Sequence, residues 1–312
     1  MNPREKSELE RWRVSVDDAA GGLRLDRFVS VKAAASRAQV RRWLNSACVA
    51  VDGSVVTRGG ETLRAGQMVV LTPPDSSWIG GMDSELRALA RGHDWVAVDK
   101  PAGVAVHPLS PDEPGTLLGA VAAAYSEVVG VGDEGELRSG VVHRLDVDTS
   151  GVTLFALSNR RWQSMREAFS THRVNKTYVA LVAGQLNAGG QSDRTLAVTR
   201  HTPARVSVVD AATAEHVSGA RMCSLAWRVL AVGSDCTRVE IDLHTGFLHQ
   251  ARVMFAAMGF PLLGDAVYAP ADVAERAARH MLHAVSIAVD DVAAQSAWPN
   301  DFREVAEREG LA

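Results

Sequence analysis

Apolar runs of strand length, closed off by turn residues, recur along most of this chain. Trp95-Val96-Ala97-Val98 enters the polar turn Asp99–Gly103, and Val104-Ala105-Val106 continues beyond it. Short continuous apolar runs bounded in this way predict strands. The same pattern predicts strands at 152–157, at 176–182 up to Gly184, at 205–209, at 237–241 and near 283–289, with Val141-Val142 entering the polar stretch that precedes 152. The pieces between 185 and 243 read as short strands about 8–12 residues apart, which predicts a mainly antiparallel sheet. Helical spacing recurs at 116–129 (Leu117, Leu118, Val121, Ala122, Tyr125, Val129) and after Asn159, a candidate cap, with Trp162, Met165 and Phe169 as the apolar face. Two more helices are expected, at 249–258, stopped by Gly259 and Pro261, and at 271–280. Helices flanking a sheet without strict βαβ alternation predict an α+β fold: a mainly antiparallel mixed sheet with flanking helices.

The first part of the chain has a different rhythm. Ser36 with Gln39 forms a capping box that starts a helix at about residue 37, with Val40, Trp43 and Leu44 on its apolar face. Val49–Val51, Asp52-Gly53 and Val55-Val56 read as a hairpin, and Met68–Leu71 as a last strand. Pro73-Pro74-Asp75-Ser76-Ser77 and Gly80-Gly81 then break the periodicity. The expected division is a small α/β module over 1–74 (core about 23–72), a linker at 73–84 and a large domain over 85–312.

Composition narrows the possibilities. No apolar run reaches the length of a membrane span, and the charged Met1–Lys6 start lacks the apolar core of a signal peptide. Three widely spaced cysteines, Cys48, Cys223 and Cys236, suggest neither a disulfide framework nor a zinc site, so a cytoplasmic monomer is expected. A net charge of −4 gives no global support for nucleic-acid binding. Basic residues are nonetheless gathered at 23–45, where Arg24, Arg27, Lys32, Arg37, Arg41 and Arg42 face a single acid, Asp26. Arg37 and Arg41, four apart, share a helix face. Arg24, Arg37, Arg41 and Arg42 are therefore candidate phosphate contacts.

The chemistry-bearing stretch is 143–151, His-Arg-Leu-Asp-Val-Asp-Thr-Ser-Gly. A polar cluster between apolar strands is costly to bury, which makes Asp146 a candidate catalytic carboxylate with Arg144 as its neighbouring cation. No phosphate-binding glycine loop and no Gly-x-Ser-x-Gly elbow is present. His143 and Asp146 could ligate a metal, but no second ligand pair has metal-site spacing, so no metal is expected.

Two resemblances organise these features. Leu23–Phe28, Ser36-Arg37, Val49–Gly53 and Leu63–Gly66, in this order, resemble the S-four RNA-binding domain, two helices on a short sheet, with Gln67 where that family usually has Asp. The blocks Val98–Pro108, His143–Gly151, Lys176–Val182, Thr245–Val253 leading to Gly264-Asp265 and Tyr268, and Leu282-His283-Ala284 resemble the RluA-type RNA pseudouridine synthases. That resemblance implies the pseudouridine synthase fold and isomerisation of uridine to pseudouridine inside RNA, without a cofactor. It implies Asp146 as the catalytic carboxylate, acting at carbon 1′ or on a 2′ proton, Arg252 as its partner and Tyr178 as the aromatic residue against the uracil. Arg144 moves to holding the flipped nucleotide, and His143, Lys176, His249 and Gln250 join it as candidate RNA contacts. Large-subunit ribosomal RNA is the expected substrate, with transfer RNA, or a catalytically silent RNA-binding factor, as alternatives. One departure stands out. Where the family has Gly-Arg-Thr/Ser-His-Gln, this chain has Gly246-Phe247-Leu248-His249-Gln250, and Met254 replaces a usual histidine.

Overall fold

The computed structural model describes residues 12–311 except 34–36, 46, 73–77, 81, 83, 84, 112, 211 and 213, and leaves aside the side chains of Ala38, Gln39 and Arg42. The expected Ser36–Gln39 capping box and much of the 73–84 linker lie outside the described residues, as does the Arg42 side chain.

The hairpin at 49–55 forms because Asp52 and Gly53 both take positive φ, 50° and 83°, which a two-residue turn of this kind requires. The Asp52 carboxylate then accepts from Met68 N at 2.8 Å and Gln67 Nε2 at 2.9 Å, so Gln67 ties the turn to the next strand. Strands β1 (Trp12–Ser15), β2 (Val49–Val51), β3 (Ser54–Val55) and β4 (Met68–Leu71) make an antiparallel sheet in the order β1-β4-β2-β3. Helices α1 (Leu25–Lys32) and α2 (Arg37–Asn45) bury Leu25, Phe28, Val29, Val40, Trp43 and Leu44 in one core with Val49, Val69 and Leu71 of that sheet.

The second sheet comprises β5 (Arg87–Arg91), β6 (Trp95–Lys100), β7 (Ser150–Ala156), β8 (Asn175–Ala183), β9 (Gly190–His201), β10 (Ala204–Val209), β11 (Arg221–Val232), β12 (Cys236–Leu243), β13 (Leu282–Val289) and β14 (Val292–Gln295). Their order is β10-β9-β11-β12-β8-β13-β7-β6-β5, with β14 on β13. The sheet is antiparallel except where β13 meets β7. The helices are α3 (Leu117–Ala124), α4 (Asn159–Ser170), α5 (Gln250–Ala257), α6 (Ala271–Ala274) and α7 (Asn300–Arg308). Successive strand residues point to opposite faces, and both faces are covered. Val96, Val98, Phe155, Tyr178, Ala180 and Ile241 join the core containing Leu117, Leu118 and Val121 of α3 and Val253, Met254 and Phe255 of α5. Ala97, Val152 and Leu154 join Trp162 and Met165 of α4, while Val179 and Leu181 join Phe302 and Val305 of α7. Two-sided burial is why these strands read as unbroken apolar runs.

The parallel contact fixes the end of the 143–151 stretch. Ser150 and Gly151 align with His283 and Ala284. Gly151 has φ +117°, and a Cβ there would lie 2.2 Å from Ala284 O, so the close approach of these two strands needs glycine.

Several sequence expectations are corrected. Val104–Val106 forms no strand; Ala105 O and Val106 O instead accept from Leu117 N and Leu118 N at the start of α3. The helix expected over 116–129 ends at Ala124, because Tyr125 leaves helical geometry (φ −135°, ψ 79°), and a 3₁₀ turn follows. Ser158 caps α4 by accepting from Arg161 N, while Asn159 Oδ1 accepts from Gly132 N. The pieces between 185 and 243 include two strands of 12 residues, β9 and β11. The helix expected at 271–280 is limited to Ala271–Ala274, because Arg279 and His280 are drawn into buried polar contacts next to β13. Among the described residues, no helix is long and apolar enough to cross a membrane.

Candidate active site

The loop before β7 is held by buried polar groups beneath it. Lys100, wholly buried at the end of β6, donates to Pro101 O, Val104 O and Val147 O at 2.8, 2.6 and 2.7 Å. Burial pushes its pKa down to about 7, against the pull of Asp148 and Asp146. Three carbonyl acceptors call for three N–H donors, so the geometry holds the ammonium. Arg279 spans the other side: it donates to Asp148 O, His280 O, Leu282 O and Ser150 Oγ, and pairs with Asp301. His143 Nε2 accepts from Leu154 N at 2.9 Å, and its ring stacks on Phe169 with 5.0 Å between centroids. His143 thus ties the loop to β7 and α4 at the wall of the cleft.

The loop carries Asp146 to Arg252 on α5. Arg252 Nη1 donates to Asp146 Oδ2 at 3.1 Å. The rest of the guanidinium forks onto Asp265, with Nε to Oδ2 at 2.8 Å and Nη2 to Oδ1 at 2.9 Å. Asp265 is fully buried and also accepts from Val267 N and Tyr268 N. Burial works against charge at both Arg252 and Asp265. Their mutual hydrogen bonds and attraction outweigh it, raising the Arg252 pKa and lowering that of Asp265. Asp146 therefore meets a cation that cannot swing away. Arg144, the cation adjacent in sequence, is exposed at the rim.

Asp146, Arg252 and Arg144 line a cleft of about 660 Å³ whose walls include Tyr178, Lys176, Leu248 and His249. Tyr178 is buried on β8, and burial, with Asp146 nearby, raises its pKa and keeps it a neutral phenol. Lys176 donates to Thr245 O at 2.7 Å, and burial lowers its pKa to about 8. Gln250 is buried and turned inward: Oε1 accepts from Thr245 Oγ1 and Phe247 N, and Nε2 donates to Ser224 O. It lines the cleft while its amide braces the turn into α5. The two apolar replacements, Phe247 and Leu248, are half-buried on the cleft wall, and Met254 is fully buried in the core beneath it.

The N-terminal candidates lie apart from this cleft. Arg24 pairs with Asp26 at 2.6 Å, and Arg37 and Arg41 are exposed on α2. The cleft lining contains none of the three. Among the described residues, one group of three possible metal ligands is gathered, Asp235, Cys236 and Glu309. Arg276 already pairs with both of its carboxylates.

Sequence reading placed Lys100 and Asp265 inside blocks of family resemblance without giving either a role, and did not name Arg279. Each is a charged residue whose burial, the signal of a built role, shows only in three dimensions.

Burial around the site has a pH consequence. It pushes the pKa of His143 down to about 3 and that of His280 to about 4; Lys176 contributes at His143 and Arg252 at His280. Unfolded histidines titrate near about 6.5, so below that pH the unfolded chain binds more protons than the folded one. The stability from keeping these rings neutral is complete above about pH 6.5. It is lost as pH falls toward about 4, by at most about 1.4 kcal/mol per pH unit per histidine. Urea unfolding at pH 7.5 and 5 is expected to show the lower stability at pH 5, and equal stability at both would contradict the neutral-histidine arrangement.

Residues 94–257 match the model of the RNA pseudouridylate synthase family and residues 23–69 that of the S4 domain. The chain is 32% identical to an uncharacterized RNA pseudouridine synthase of Chloroflexus aurantiacus, over 90% of this chain and 86% of that one. It is 30% identical to ribosomal large subunit pseudouridine synthase D of Pseudomonas aeruginosa, over 84% of this chain and 78% of the relative. In fold it is similar to human RNA Pseudouridylate Synthase Domain Containing 4, with a TM-score of 0.56 at 20% identity over 72% of this chain and 93% of that one. The family model spans more than half of the sequence and takes in Asp146, Tyr178 and Arg252, and the chain belongs to the RNA pseudouridylate synthase family.

Proposed function

We propose that this enzyme isomerises uridine to pseudouridine in large-subunit ribosomal RNA, with Asp146 as the catalytic carboxylate. The observation that carries the reading is the chain Asp146–Arg252–Asp265, in which a buried carboxylate pins the arginine that pins the carboxylate at the cleft. A rigid charge array costs no reorganisation as positive charge develops on the sugar. The reaction breaks the bond from carbon 1′ to N1, turns the uracil and joins carbon 5 to carbon 1′. The proton on carbon 5 then leaves and N1 gains one. Asp146 serves the sugar side, by attack on carbon 1′ or by moving a 2′ proton. Tyr178, a neutral phenol, packs against the base. Arg144, exposed at the rim, holds the target nucleotide out of its stack, an extrusion that costs a few kcal/mol. The isomerisation is redox-neutral, and this reading uses no cofactor. Residues 1–74 act as an RNA-delivering module through Arg24, Arg37 and Arg41, joined by 73–84 to a catalytic domain over 85–312.

Large-subunit RNA is favoured by relatives called ribosomal large subunit pseudouridine synthase D, with identities of 30% and 32% to the Pseudomonas aeruginosa and Nitrosomonas europaea proteins. Carbodiimide mapping of RNA from cells with and without the gene is the test. One or more large-subunit uridines are expected to lose modification on deletion. Loss confined to transfer RNA would redirect the substrate, and no loss anywhere would defeat the reading.

A further inference from the structure

His249 stands just before α5 with φ 54°, a left-handed conformation uncommon for a residue with a side chain, so its backbone is held by its surroundings. Its ring meets Tyr268 edge-on, and Nδ1 lies 2.7 Å from the Tyr268 hydroxyl. That hydroxyl already accepts from Val206 N at 2.9 Å, while the Tyr268 ring carries the guanidinium of Arg252 at 5.2 Å and that of Arg205 at 5.7 Å. With the backbone N–H on one lone pair, the phenol has its single proton to offer Nδ1, an arrangement in which Nδ1 is the acceptor. The neutral imidazole then carries its own proton on Nε2, the nitrogen that faces Asp146. Burial lowers the His249 pKa even against the attraction of Asp146, in keeping with that neutral form.

Nε2 and Asp146 Oδ2 are 4.0 Å apart. This is too long for a direct hydrogen bond, whose span is about 2.7–3.2 Å. It suits one hydroxyl oxygen held by both groups, accepting from Nε2–H and donating to the carboxylate. The hydroxyl next to carbon 1′ in the target nucleotide is the ribose 2′-OH, at once a donor and an acceptor. We infer that His249, aimed by Tyr268, reads the 2′-hydroxyl of the target nucleotide together with Asp146 and makes the site selective for ribose over 2′-deoxyribose. The inference rests on the proposal that Asp146 faces the target ribose.

The test uses two large-subunit RNAs assembled by splinted ligation, identical except for uridine or 2′-deoxyuridine at the position found by mapping. Single-turnover conversion is followed by chromatography of the digested nucleosides. The wild-type enzyme is expected to prefer the ribonucleotide, and His249→Ala to cut that preference by about tenfold, the size of one lost hydrogen bond. His249→Gln, which keeps an N–H at the end of the side chain, restores part of the preference. Tyr268→Phe, which frees the imidazole tautomer, loses part of it. Thermal melting checks each variant, and Tyr268→Phe decides the matter if His249→Ala does not fold. If both substrates slow equally and the ratio stays within about twofold, His249 is only structural and the inference is overturned. If the wild-type enzyme converts neither RNA, the proposed function falls and takes this inference with it. Conversion of the ribonucleotide by the wild-type enzyme, with a preference over the deoxyribonucleotide that no variant moves, defeats the inference and spares the function.

Discussion

Asp146→Asn is expected to lower single-turnover conversion by on the order of 10⁴-fold or more, a loss of at least about 5 kcal/mol of transition-state stabilisation, while RNA binding by filter retention stays within a few-fold of wild type. The two readouts separate because the substitution changes charge and very little shape. The asparagine oxygen can still accept from Arg252 Nη1, so the contact now measured at 3.1 Å survives and the fold has no reason to open. What is lost is the negative charge, and with it any power to attack carbon 1′ or take a 2′ proton. In the proposed reading, binding rests on cations elsewhere, Arg144 at the rim and Arg37 and Arg41 on α2, which are exposed and which the change does not touch. Purified Asp146→Asn enzyme retaining a tenth or more of wild-type conversion would remove Asp146 from the chemistry.

How much of this arrangement could be read in advance depended on the range of the interactions involved. Asp146, Tyr178 and Arg252 were legible because each sits in a short block of recognisable sequence, and the three converge on one cleft. The pairing was harder to see. Arg144 is two residues from Asp146 in the chain, yet it stands exposed at the rim, and the partner comes from α5 over a hundred residues later. Strands buried on both faces, such as β6 and β7, announced themselves as apolar runs. The outer strands β9 and β11 have exposed stretches that broke the pattern into fragments. Val104–Val106 misled for the opposite reason: three apolar residues look like a strand, but their carbonyls go to the first turn of α3. Helical spacing at 271–280 failed where tertiary partners outweighed local preference, since Arg279 and His280 each bond across to the 148–150 segment. The positions to which sequence reading gave no role, Lys100, Asp265 and Arg279, are all buried charges whose partners are backbone carbonyls or residues farther along the chain.

Asp265 gives the second large effect, and it tests whether the site depends on what lies beneath it. In Asp265→Asn the buried Arg252 keeps its charge and loses the carboxylate that accepts two of its hydrogen bonds. Breaking a buried ion pair from one side costs about 3–5 kcal/mol, so a lower unfolding midpoint in urea is expected. The pH dependence should change with it. The folded pKa of Asp265 lies below its ordinary value, so its contribution is present above about pH 4 and lost as pH falls through the folded pKa. The variant lacks that acid limb. Conversion should fall by roughly 10²-fold even where the variant is fully folded, because a guanidinium released from Asp265 no longer holds Asp146 in place. The double variant Asp146→Asn, Asp265→Asn separates this from a general loosening. If Asp265 acts through Arg252 on Asp146, its removal costs little further conversion once the Asp146 charge is gone, and the two losses are far from additive. Additive losses would mean that Asp265 supports the fold alone and that the charge chain has no part in turnover.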